Sequence, residues 1–141
     1  MKRLLASVLL AVAVGACGGG SGVAVSDAVI AEPAGAATAL YLEIENSTGA
    51  TERLLSARTD VAVAEIHRSF VADNQMHMES VAEVEVGGGE VVAFEPGGLH
   101  IMLLDVDPLE SGQKVIVYLE FATAGIIEVE ATVVPYAEIA P

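Results

Sequence analysis

Apolar residues recur in this sequence at the period of β-strands, and no segment sustains the period of an amphipathic helix. Residues 39–45 alternate apolar and polar at their end, and Asn46-Ser47-Thr48-Gly49 closes the run. Further runs are expected at 53–57, at 61–67 and across 75–86, the last as one long or two shorter strands. Gly87-Gly88-Gly89 reads as a turn from which 90–94 pairs back as a hairpin, and Glu95-Pro96-Gly97-Gly98 is a second turn leading into 99–105. Residues 114–121 and 126–134 supply the last two strands. Strand-sized pieces spaced about every 8–12 residues belong to sandwiches and barrels. Val, Ala and Ile are abundant and Trp is absent, which suits a core of small β-branched side chains. The expected fold is therefore all-β, a Greek-key sandwich or barrel. One short helical turn is expected near 105–110, where Asp107-Pro108 favours a local break.

The N-terminus reads as a targeting segment. Lys2 and Arg3 precede an apolar stretch over 4–14 that is broken only by Ser7. That stretch falls well short of the roughly 20 apolar residues a bilayer-spanning helix needs, and it has the length of a secretory signal core. Val14-Gly15-Ala16-Cys17 resembles a bacterial lipobox, whose cysteine is diacylated and becomes the first mature residue. Two acyl chains anchor stably where one is marginal. An ordinary signal cleaved near Ala16 is the alternative. It would leave Cys17, the only cysteine, as a bare thiol in an oxidising compartment. The expected organisation is a leader over 1–16, a lipidated Cys17 with a Gly/Ser tether over 17–22, one domain over 23–135 and a short tail over 136–141.

Loss of Lys2 and Arg3 with the leader leaves four basic side chains against 20 acidic ones, a net charge of −16. Such a surface repels nucleic acid and mildly concentrates cations, although solubility alone accounts for most of the charge. Beyond Cys17 there is neither a disulfide nor a thiolate ligand.

The three histidines, and all methionines except Met1, lie between His67 and Met102. On a strand, side chains alternate faces, so His100 and Met102 share one face while Leu99, Ile101 and Leu103 take the other and enter the core. By the same parity Met76 and Met78 share a face, and His77 points away into solvent. His67 is expected at the end of its strand, before a loop over 68–74. Imidazole with thioether is a soft donor set that favours Cu(I) over zinc, magnesium or calcium. A blue-copper centre needs a thiolate, and the mature domain has none. A lone Met on an apolar strand is more often packing than ligand, and Met76 reads as packing or as a secondary donor at most.

Glu65-Ile66-His67, Met76-His77-Met78 and the stretch from Glu95-Pro96-Gly97-Gly98 through Leu99-His100-Ile101-Met102-Leu103 together resemble the PCuAC family of periplasmic copper chaperones. The signature of that family is a histidine, ten residues, a methionine, 21 residues, a histidine, one residue and a methionine; here 68–77, 79–99 and Ile101 fill the three gaps. The resemblance extends over nearly the whole mature domain, including 109–115 and 119–125. It implies a cupredoxin-like sandwich with an exposed Cu(I) site formed by His67, Met78, His100 and Met102. It also implies delivery of copper to cytochrome c oxidase, in particular to its CuA centre. Two features depart from the family: the lipid anchor, and a tail that lacks a His- and Met-rich extension.

No nucleophile–base arrangement is evident from spacing, so a binding protein is expected and not an enzyme. The leading reading is an extracytoplasmic, membrane-anchored metallochaperone whose acceptor is an oxidase subunit or another copper chaperone. A copper-buffering or resistance lipoprotein with the same site is the alternative, and a metal-free structural β-sandwich lipoprotein is the third.

Overall fold

The computed structural model describes residues 22–139. Ten strands follow in order: β1 (Val23–Ala31), β2 (Ala37–Asn46), β3 (Glu52–Thr59), β4 (Val63–Ala72), β5 (Gln75–Ser80), β6 (Val84–Val86), β7 (Val91–Phe94), β8 (Leu99–Leu104), β9 (Lys114–Phe121) and β10 (Gly125–Val134). They pair in the order β5-β4-β8-β2-β1-β10-β9-β3-β6, and β7 also pairs with β2. The leader, Cys17 and most of the tether lie outside the described residues.

Alternation places the core. Leu40, Leu42 and Ile44 of β2 are buried, as are Val115, Val117, Leu119 and Phe121 of β9, while residues between them are more exposed. One apolar cluster joins Ile30, Ile66, Ile101 and Leu103 to Leu54, Val86 and Val117 from the far end of the strand order. The sheet therefore folds over itself into a sandwich. β1 and β10 pair in parallel, with Val29 opposite Thr132, so the first and last strands lie side by side and all other elements form the crossover between them.

The expected all-β fold is the observed one, with local differences. β1 escaped the sequence reading because a bulge at Ser26–Val29, with Asp27 at φ 52°, breaks its alternation. Residues 91–94 do not pair back onto β6; they pair with β2, Phe94 opposite Leu42. The long β2 thereby carries β8 along one part of its edge and β7 along the next. No helical turn forms near 105–110. That segment is tied down by Val106 N–H bonding Ala36 O and Asp107 N–H bonding Val61 O. The short 3-10 turn lies instead at Tyr136–Glu138.

β4 runs well past His67. His67 is not at a strand end, because β4 continues to Ala72 and the expected loop is a two-residue turn, Asp73-Asn74. Both turn residues have positive φ, 51° and 59°, as a type I′ hairpin turn requires, and Asp and Asn tolerate that region. β5 can then run back antiparallel along β4.

Candidate metal centre

Register brings the soft donors together. In an antiparallel ladder, directly opposed residues share a face. His67 is opposite His100, Glu65 opposite Met102, and Ser69 opposite Met78. His67, Met78, His100 and Met102 therefore all stand on one face of the β5-β4-β8 ladder, although 35 positions separate the first from the last. Met76 is on that face too, opposite Val71 and two pairs nearer the hairpin tip. His77 is opposite Phe70 on the reverse face, stacked on its ring at 5.5 Å and 21°, with Nε2 3.2 Å from Ala72 O.

The two histidines differ in setting. Their ring centroids are 5.9 Å apart, edge to face at 64°. His100 is only 4% exposed, so its face of β8 is covered and not open as parity alone implied. Its Nδ1–H donates to Gly98 O at 3.1 Å, which leaves Nε2 as the free donor. The turn before β8 aims that carbonyl: Pro96 and Gly97 are its central residues, Gly97 has φ 81°, and Gly98 N–H closes it on Glu95 O at 3.0 Å. The same Gly98 carbonyl accepts Ser69 N–H from β4, so one group orients His100 and ties β8 to β4.

Burial pushes the His100 ring below the ordinary histidine range, and the nearby His67 acts in the same sense; the Gly98 hydrogen bond opposes them without prevailing. A ring held neutral is ready for a metal. His67 places Nε2 2.9 Å from Glu65 Oε2, and its Nδ1 is buried with no hydrogen-bond partner. A buried ring nitrogen left without a partner costs about 1–3 kcal/mol, and a bound metal ion would supply one.

A cavity of about 320 Å³ opens beside Met78, His100 and Met102. Its other side is built from Ala34 of the β1–β2 connection, Ala39 and Tyr41 of β2, and Tyr136 of the C-terminal turn. Burial first, then the neighbouring Tyr136, pushes the Tyr41 phenol above its ordinary value, so it stays an uncharged hydroxyl. Among the described residues no cluster of three His, Cys, Asp or Glu side chains is arranged for a metal. The donors that this face does gather are two imidazoles and two thioethers, a set that suits Cu(I).

The LpqE-like lipoprotein family matches residues 23–133. The chain belongs to that family. No curated protein sequence matches this LpqE-like chain. Its fold is similar to the copper-bound PCuAC domain from PmoF2, with 19% identity, TM-score 0.69, and 81% of this chain and 93% of that one covered. It is also similar to apo-DR1885 from Deinococcus radiodurans, with 22% identity, TM-score 0.64, and 96% and 94% covered. The Cu(I) form of DR1885 matches at 24% identity and TM-score 0.61, over 75% and 74%. The LpqE-like chain thus has the cupredoxin-like sandwich of PCuAC domains.

Sequence reasoning gave Glu65, Gly98, Tyr41 and Tyr136 no part in the site of this LpqE-like chain. Glu65 was within reach of a closer reading, since it is two residues before His67 on one strand and must share its face. Tyr41 and Tyr136 carried no such signal, because they reach the cavity from β2 and from the tail.

Proposed function

We propose that this protein is an extracytoplasmic Cu(I)-binding metallochaperone that delivers copper to cytochrome c oxidase at its CuA site. His67, Met78, His100 and Met102 are the proposed ligands. The observation that carries the reading is the convergence of two imidazoles and two thioethers on one sheet face, next to an accessible cavity. The copper-bound state of the PmoF2 domain and of DR1885, which share this fold, supports it.

Neutral, exchangeable donors suit transfer. No thiolate holds the ion, so an acceptor's thiolates can replace the ligands one at a time, and the site chemistry is ligand exchange without catalysis. Met78 is 51% exposed, which leaves it open to an incoming acceptor, while the buried His100 is the donor best placed to hold the ion longest. Lipidation at Cys17 would confine the search to the membrane plane where oxidases lie, and the family's lipoprotein character agrees with that.

Two measurements test the reading. The protein should bind one Cu(I) per chain with mixed sulfur and nitrogen scattering in X-ray absorption, and a purely nitrogen/oxygen shell would exclude Met78 and Met102. Cells lacking the protein should lose oxidase activity at limiting copper and regain it on copper addition, and a variant lacking His100 and Met102 should not complement. Normal oxidase with poor tolerance of excess copper would favour the buffering role instead.

A further inference from the structure

Among the described residues, Glu65 is the carboxylate paired with a histidine of the proposed ligand set. It lies two residues before His67 on β4 and directly across the ladder from Met102. Its Oε2 is 2.9 Å from His67 Nε2. A carboxylate only accepts hydrogen bonds, so this contact requires the proton of the ring on Nε2. Nδ1 is buried without an acceptor, and an N–H there would have nowhere to donate. The ring is thereby fixed with a lone pair on Nδ1. His100 is fixed the other way, because Gly98 O takes its Nδ1–H and Nε2 is left free.

From this geometry, and resting on the copper reading above, we propose that Glu65 is a positioning residue that makes His67 bind copper through Nδ1 while His100 binds through Nε2. The carboxylate does not touch the ion. It holds the tautomer and the ring orientation, and its negative charge behind the imidazole strengthens the donor, as carboxylates behind metal-bound histidines do. The strand fixes the arrangement, since alternation at i and i+2 keeps both side chains on one face whatever the site holds.

Long-range 15N–1H correlation on the full-length chain with 15N-labelled histidine reads the protonated and the coordinated nitrogen of each ring directly, and Cu(I) is diamagnetic. Without metal, His67 should carry its proton on Nε2. With Cu(I), His67 should coordinate through Nδ1 and His100 through Nε2. Glu65→Gln keeps an oxygen acceptor and should keep this pattern. Glu65→Leu should release His67 into a mixture of tautomers and weaken Cu(I) binding about 10- to 100-fold. A metal-free His67 protonated on Nδ1, coordination through Nε2, or a Glu65→Leu variant with unchanged tautomer and affinity would each overturn the proposal. If Cu(I) does not bind at all, the copper reading fails, and the metal-free tautomer in wild type and Glu65→Leu still decides what Glu65 does.

Discussion

His67 and His100 are register partners across the β4–β8 ladder, their ring centroids 5.9 Å apart, yet Glu65 anchors one ring and Gly98 O the other. Both strands are held from their reverse faces. Ile66 and Ile101, each adjacent to one of the histidines, are buried in the apolar cluster and opposite each other. The ladder sets which side chains meet, and the core keeps the ladder in place.

Register separates the two methionines of β5. Met78 stands opposite Ser69, the next residue after His67 on that face of β4, and lines the cavity with His100 and Met102, whereas Met76 stands opposite Val71, further toward the hairpin tip. Met78→Leu should therefore weaken Cu(I) binding at least tenfold, and Met76→Leu by no more than about twofold, since a thioether on Cu(I) is lost in the first case only. Both residues are more than half exposed, so neither change should move the thermal midpoint appreciably. Competition titration against a Cu(I) chelator measures the difference, and equal losses would remove Met78 from the ligand set.

The buried His100 sets the pH response. Its folded-state pKa lies below the ordinary histidine value. As pH falls through about 6.5 the unfolded chain takes up a proton that the fold refuses, so stability declines from there down toward the folded pKa. Above the ordinary value the group contributes no slope. Chemical denaturation of the metal-free protein between pH 7.5 and pH 5 should show this decline, and His100→Gln should flatten it. Protonation of His100 should also compete with Cu(I), so affinity for the ion should fall as pH is lowered.

Glu52 is a buried carboxylate away from the site, and it should matter for stability alone. It accepts backbone N–H groups from Arg53 at 2.8 Å, Thr123 at 3.0 Å and Ala124 at 2.8 Å, pinning β3 to the β9–β10 turn. Burial raises its pKa, and the three N–H donors with the Arg53 charge outweigh burial and hold it below the usual carboxylate range. A depressed folded pKa means that this stabilisation is complete above the ordinary carboxylate value and is lost as pH falls through the folded one. Glu52→Gln turns an NH₂ toward backbone donors and should cost about 1–3 kcal/mol at neutral pH, with Cu(I) affinity unchanged. Denaturation at pH 7 and at pH 3 measures it: the gap between wild type and variant should shrink at the lower pH.

The sequence by itself determined the fold class, because strand alternation is a local property of the chain and the core residues of β2 and β9 obey it. It also determined that His100 and Met102 share a face, and its spacing marked the residues proposed as donors. Tertiary structure decided everything that depends on which strands meet. Asp73-Asn74 makes a tight hairpin only if both residues take positive φ, which neither demands as Gly would, so the length of β4 and the place of His67 within it stayed hidden. The pairing of β7 with β2, the parallel β1–β10 contact, and the register that sets His67 against His100 are all long-range. Their choice rests on the joint burial of side chains from distant segments, and no local pattern encodes that. The burial of His100 and the placing of Tyr136 at the same cavity follow from the same closure, since a side chain's environment belongs to the assembled layers and not to its own strand.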